Sequence, residues 1–268
     1  MTPPSAGVPD SWVTDAGLRL EISGPVAHVT LCRPERRNAQ TPIMWSALAR
    51  IGRELSADIR VVVLRGEGSS FSAGLDLAMF TPEGLPGAPS FIELAQMDDE
   101  AAEQVIAGYQ AAFDWWRRPD IVSIAAVQGH AVGAGFQLAL ACDLRVLASD
   151  AQLAMAETSR GIVPDLGGTK PLVDLVGYSR ALEICVTGRR VGADEAQRIG
   201  LAELVVTPDQ LTSAVDDLVA ALLAPLRDAV VETKVLLRGA ADRSYDDQVV
   251  AERQAQLRRL RDLAGIGE

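Results

Sequence analysis

Histidine and cysteine are scarce in this sequence, with two histidines and three cysteines among 268 residues. Cys32, Cys142 and Cys185 stand far apart in apolar surroundings, and no Cys-x-x-Cys pair occurs. That stock does not build a Cys/His metal centre, so no metal is expected, and the thiols read as reduced and buried. A serine hydrolase needs a histidine base, yet His28 falls in an apolar strand and His130 follows Gly129 in a loop. No Gly-x-Ser-x-Gly elbow is present either. No apolar run reaches the roughly 18 residues of a membrane span. The first twelve residues have neither a basic nor an apolar block, so they do not read as a secretory leader. Lysine is nearly absent too, since only Lys170 and Lys234 interrupt the arginines. The formal charge of −11 and the pI near 4.7 repel nucleic acids and anionic lipid surfaces. The expectation is a cytoplasmic protein with no nucleic-acid or membrane partner.

The composition that remains is globular, 48% hydrophobic and 23% charged. Residues 1–16 read as a loose polar arm. Residues 18–22 and 26–32 form a hairpin about Ser23-Gly24-Pro25. A basic loop, RPERRNAQT, follows at 33–41. Thr41 and Pro42 suit the N-cap and first position of a helix whose apolar stripe is Ile43, Trp45, Leu48, Ile51 and Leu55. Residues 60–65, RVVVLR, are a strand apolar enough to be buried on both faces. A Pro/Gly-rich loop at 81–90, a helix from Asp98 to Trp116, and a strand from Ile121 to Val127 come next. A short helix in GAGFQLALAC and a strand from Leu144 to Leu147 follow. Two short helices occupy 178–199, and Leu204–Val206 is a strand. Only helices are expected beyond Pro208. The pattern is α/β, with a core at 17–207 and a helical region at 208–268. Leu218, Leu222, Leu226, Val230 and Leu236 would lie exposed on a lone tail, which points to an oligomer.

Two nucleotide-binding motifs are incomplete. Gly133-Ala134-Gly135 lacks the third glycine of a dinucleotide fingerprint, and GIVPDLGGTK (161–170) lacks the Gly-Lys-Ser/Thr of a phosphate loop. What stands out is a pair of glycine-rich segments, each directly after a buried strand: FSAGLDL (71–77) and GHAVGAG (129–135). Small residues at helix starts expose backbone N–H groups, and two such groups aimed at one oxygen form an oxyanion hole. The alternative is that the glycines only permit close packing.

Four segments together carry a resemblance: RPERRNAQ (33–40), FSAGLDL (71–77), IAAVQGHAVGAGFQLALACDLRV (124–146) and AMAETSRGIVPDLGGTKPLVDLVG (154–177). In order and spacing they resemble the enoyl-CoA hydratase/isomerase, or crotonase, superfamily, from about Leu18 to about Leu263. The resemblance implies a crotonase-like spiral of strand-strand-helix units with a C-terminal helical trimerisation region, assembled as a homotrimer or hexamer. It implies an acyl-CoA substrate and no separate cofactor, since coenzyme A enters as part of the substrate. The N–H groups of Leu75 and Ala134 match the family's oxyanion donors. Arg37, Ala39, Ala73, Gly74, Asp76, Leu77 and Gly133 match segments lining the CoA thioester. Arg33, Arg36 and Arg37 are candidates to meet its phosphates, the alternative being a solvated basic loop, and backbone contacts from Ala39 and from Ala73 to Leu77 are favoured over any one arginine.

Hydratases of the family carry two glutamates around a water. Here the second matches Glu157, but the first falls at Gln137, which can bind a water and cannot take its proton. Asp165 occupies a position where dienoyl-CoA isomerases carry a proton-moving aspartate; as a bland alternative it caps the helix beginning near Gly167. One glutamate and one oxyanion hole suffice for a double-bond isomerase. The expectation is therefore isomerisation, with hydration by Glu157 despite Gln137, or a non-catalytic acyl-CoA-binding protein, as alternatives. The family's further C-terminal helix over the CoA has no counterpart in residues 264–268.

Overall fold

The computed structural model describes residues 10–266. It opens with helix α1 (Asp10–Asp15), where a loose arm was expected. Val13 and Ala16 are buried and tie this turn to the core; the rest of the arm, residues 1–9, lies outside the described residues. The hairpin is β1 (Leu18–Ser23) and β2 (Val26–Leu31). Helix α2 (Pro42–Glu54) starts as its sequence dictates, with the Thr41 hydroxyl accepting from Met44 N–H and Pro42 in the first turn. One stripe residue differs from expectation: Ile43 is exposed, and Met44 takes the buried place beside Trp45, Leu48 and Ile51.

Next come β3 (Val61–Gly66), α3 (Phe91–Gln96), α4 (Asp99–Asp114) and β4 (Val122–Val127). They are followed by β5 (His130–Val132), α5 (Ala134–Ala141), β6 (Leu144–Ala148) and β7 (Gln152–Ala154). His130 thus lies in a short strand rather than a loop. Helices α6 (Thr169–Val176) and α7 (Tyr178–Thr187), strand β8 (Val191–Gly192), helix α8 (Ala193–Arg198) and strand β9 (Leu204–Val206) complete the core. Helices α9 (Leu211–Leu223), α10 (Arg227–Gly239) and α11 (Tyr245–Leu263) form the tail.

Six strands make the main sheet in the order β1-β2-β3-β4-β6-β9, parallel except for the β1–β2 hairpin. A small sheet, β5-β7-β8, stands beside it. Central strands buried on both faces need apolar residues at every position, and Val61–Leu64 supply them. Alternate residues sort cleanly. Val62 and Leu64 join the large core with α2, while Val61 and Val63 join a second cluster with Ile124, Val146 and Val215 of α9. Leu218 and Leu222 pack on that second cluster within the same chain, so the structure corrects their expected exposure. Leu226 does remain 65% exposed. Buried Lys234 pins α10 to the sheet, donating to Asp143 at 2.6 Å and to the Ile121 carbonyl at 2.6 Å. Cys142 is buried, Cys32 and Cys185 are half-buried, and all three are free thiols. Among the described residues no helix is long and apolar enough to cross a membrane. The two glycine-rich segments both leave the carboxyl ends of central strands, where open parallel sheets offer a crevice to ligands.

Candidate active site

The two glycine segments lie side by side because backbone hydrogen bonds stitch them together. Ser72 N–H donates to the His130 carbonyl at 2.8 Å, and Val132 N–H returns to the Ser72 carbonyl at 3.0 Å. On the other side, Gln40 N–H donates to the Gly74 carbonyl at 2.7 Å, and Asp76 N–H donates to the Gln40 carbonyl at 2.8 Å. This parallel bridge uses the groups flanking Leu75 and turns the N–H of Leu75 away from it. Side chains brace the same segment. Trp45 Nε1 donates to Gln40 Oε1 at 2.7 Å, Gln40 Nε2 to Ser72 Oγ at 3.2 Å, and Ser72 Oγ to the Asn38 carbonyl at 2.8 Å.

Gly74 sits at φ +90°, and a Cβ there would lie 2.4 Å from the Val132 carbonyl oxygen and 3.6 Å from Ala134 N. Gly133, at φ 52° and ψ −121°, turns the chain sharply into α5, so Ala134 is the first residue of that helix. A first-turn N–H has no acceptor within its own helix. Neither Leu75 N–H nor Ala134 N–H donates to any group among the described residues. Two unused donors therefore border a cavity of about 330 Å³ whose lining includes Leu75, Ala134, Gln137, Glu157 and Asp165.

Glu157 opens a short 3-10 turn (Glu157–Arg160) and is only 6% exposed. Its Oε1 accepts from Gln137 Nε2 at 2.7 Å, while Oε2 is buried and accepts no hydrogen bond. Burial pushes the Glu157 carboxyl above the ordinary glutamate range. The neighbouring backbone N–H groups and the Gln137 amide pull against that rise, and the charge of Asp165 adds to it. Gln137 is itself buried, and its Oε1 accepts from Leu166 N–H at 3.0 Å and from Gly168 N–H at 3.2 Å. Asp165 lies at the rim of the cavity, its residue exposed and its carboxyl raised by the protein around it. It does not cap α6, whose N-cap is Gly168. Instead its carbonyl accepts from Gln110 Nε2 of α4 at 2.6 Å.

The basic loop behaves differently from its sequence reading. Arg33 is committed internally, donating to the Ala39 carbonyl at 2.6 Å and pairing with Asp76 at 3.1 Å. Arg36, largely exposed, approaches Asp76 at 3.4 Å from the cavity rim. Arg37 turns in the left-handed region at φ 49°, is exposed, and lies outside the cavity lining. Its contribution is its carbonyl, which accepts from Ala73 N–H at 2.8 Å. Asp76 lines the cavity, but its carboxylate is taken up by the two arginines and by Ala78 N–H. Ala39, Ala73, Gly74, Leu77 and Gly133 all line the cavity.

The sequence points to the 81–90 loop and the helix from about Asp98 as walls of an acyl pocket, but not to the particular aromatic side chains that form the wall. Trp45 and Tyr109 pack with ring centroids 5.0 Å apart, and Phe80 meets Phe91 edge-on at 4.7 Å. All four line the cavity. With aromatics at only 4% of the chain, their presence on two helices and around the 81–90 loop was the available signal.

Residues 21–262 match the family model described as Enoyl-CoA hydratase/isomerase. The chain is 33% identical over 236 residues to the mitochondrial Delta(3,5)-Delta(2,4)-dienoyl-CoA isomerase of Dictyostelium discoideum, covering 86% of this chain and 79% of that protein. It is 31% identical over 243 residues to the short-chain-enoyl-CoA hydratase of Clostridium acetobutylicum, covering 88% and 86%. A solved structure of a Thermobifida fusca YX protein in complex with acetoacetyl-CoA shares 52% identity and a TM-score of 0.91, covering 94% of this chain and 98% of that one.

Proposed function

The chain belongs to the enoyl-CoA hydratase/isomerase family, and from that premise we propose that it moves a double bond along the acyl chain of a CoA thioester, with Glu157 as the base. The observation that carries this reading is a buried carboxylate oxygen without a partner, Glu157 Oε2, on a cavity bordered by two unused backbone N–H groups. A proton alpha to a thioester is weakly acidic, and removing it builds charge on the thioester oxygen. The N–H groups of Leu75 and Ala134 would receive that oxygen, and one such donor is typically worth about 2.7–4 kcal/mol in the transition state. Glu157 then takes the proton at one carbon and returns it two carbons away, acting as base and acid in turn.

Hydration is the second reading, favoured by the hydratase relative. It is the weaker one because the group opposite Glu157 is an amide whose oxygen is already held by two backbone N–H groups. The substrate class, an acyl-CoA thioester, is supported by the acetoacetyl-CoA complex of the Thermobifida fusca protein. Coenzyme A would enter as part of the substrate, with Ala39, Ala73 and Leu77 along its thioester arm and Arg36 at the cavity rim. A homotrimer or hexamer is the proposed assembly. The test is to mix the protein with a 3-enoyl-CoA and follow the absorbance of the conjugated thioester, beside Glu157→Gln. Turnover by the wild type and its loss in a folded Glu157→Gln protein support the proposal. Equal rates in both contradict it, and saturable binding without turnover favours a non-catalytic acyl-CoA binder.

A further inference from the structure

An amide facing two N–H donors has only one acceptable orientation, because its own NH₂ turned toward them would oppose donor to donor. Gln137 is in that position. Its Oε1 receives Leu166 N–H at 3.0 Å and Gly168 N–H at 3.2 Å, so its Nε2 must point the other way, where it meets Glu157 Oε1 at 2.7 Å. Of the Glu157 oxygens, one is thereby occupied and the other is left without a partner. The clamp spans three parts of the fold: α5, the segment carrying Asp165 and Leu166, and the short turn that holds Glu157.

We propose that Gln137 is a positioning residue which, clamped by Leu166 and Gly168, fixes Glu157 Oε2 as the oxygen that takes the substrate proton and keeps that carboxylate charged. The inference rests on the reading of Glu157 as the base. Hydrogen bonds to a charged group are stronger than those to a neutral one, so Nε2 favours the carboxylate over the carboxylic acid. Other groups around Glu157 work the opposite way or stand further off. The charge of Asp165 disfavours ionisation, and the Cys185 thiol of α7 is near enough to be influenced by Glu157. Arg160, in the same turn, lines the cavity and makes no ion pair with Glu157 among the described residues. Removing the amide should leave Glu157 protonated over a wider pH range and free to rotate.

Two variants test this, one at the amide and one behind it. Gln137→Met keeps the volume and removes both functions. Gly168 lies outside the cavity lining, and a Cβ there would meet Gln137 rather than Glu157. Its backbone, at φ −74° and ψ −21°, accepts alanine, but the new Cβ would lie 2.7 Å from Gln137 Cγ and displaces the amide. The pH profile of kcat is measured on whichever enoyl-CoA the wild type turns over. For Gln137→Met the expectation is a fall in kcat of about tenfold or more near neutrality, KM within about twofold, and an acid limb moved to higher pH by about one unit. Gly168→Ala should move the limb in the same direction by less. An unmoved acid limb in both variants, with loss of kcat tracking loss of thermal stability, overturns the proposal and leaves Gln137 as structural filling. If Glu157→Gln retains activity, the base itself is misassigned and both readings fall. If Glu157→Gln is dead while the limb stays put, only the positioning role fails.

Discussion

Replacing Ala134 by proline separates the chemistry of the site from the stability of the fold. Ala134 is the first residue of α5, a position where proline is well tolerated because its fixed φ already suits the helix. The preceding Gly133 has ψ −121°, far from the helical value that a following proline disfavours. No internal hydrogen bond is lost, since Ala134 N–H donates to nothing among the described residues. The folded protein should melt within about 2–4 °C of the wild type. Catalysis should suffer heavily. Losing one oxyanion donor costs about 2.7–4 kcal/mol, or about 10²–10³ in kcat, and the ring carbon standing where the N–H pointed adds steric exclusion. Gly74→Ala is the contrasting variant. It strains a residue at φ +90° and drives a Cβ to 2.4 Å from the Val132 carbonyl, so it should lose stability and activity together. Both proteins are assayed with a 3-enoyl-CoA and melted in parallel. Wild-type turnover in folded Ala134→Pro would refute the donor assignment. A melting temperature that falls as far as that of Gly74→Ala would refute the claim that this N–H is structurally idle.

Asp165→Asn should lower kcat by an intermediate factor, about tenfold, and leave the melting temperature unchanged, because Asp165 caps no helix. A stability loss without a kinetic one would show a structural role instead. Burial tends to raise the Asp76 carboxyl, but Ala78 N–H, Arg33 and Arg36 outweigh it and hold the group below the ordinary aspartate range. Its stabilisation is therefore present above the unfolded value of about 3.9 and is lost as the pH falls through the lower folded one. Asp76→Asn should cost about 1–3 kcal/mol at neutral pH and flatten that acid slope in denaturant titrations; an unchanged slope would contradict it. Light scattering at micromolar concentration should give the mass of a trimer or hexamer, since Leu226, Leu237, Leu257 and Leu263 of the tail stay exposed in one chain. A monomer mass would oppose that assembly.

What could be read in the sequence was written in short-range patterns. Thr41-Pro42 announced α2, Val61–Leu64 announced a strand buried on both faces, and the two glycine segments marked where backbone donors gather. The resemblance supplied Glu157 and Gln137. What stayed hidden was the choice of partners over long separations. Arg33 looked free to meet a phosphate and instead pairs with Asp76, 43 positions away. Gln137 looked like a glutamate lost, with a water or nothing as its partner. The structure gives it two backbone donors 29 and 31 positions on, and a carboxylate 20 positions on. Leu218 and Leu222 looked like an oligomer surface because an amphipathic stripe does not say which apolar face it covers. In the fold that face is the chain's own sheet.

A carboxylate bonded to an amide rather than to a second acid, as Glu157 is to Gln137, suits proton shuttling better than water addition. The direct measurement is the rate of isomerisation of a 3-enoyl-CoA beside the rate of hydration of the 2-enoyl-CoA of equal chain length, for the wild type and Gln137→Glu. The wild type should isomerise faster than it hydrates, and Gln137→Glu, which puts a carboxyl in place of the amide that now bonds Glu157, should raise hydration relative to isomerisation. A wild type that hydrates the 2-enoyl substrate faster than it isomerises the 3-enoyl one would contradict the account.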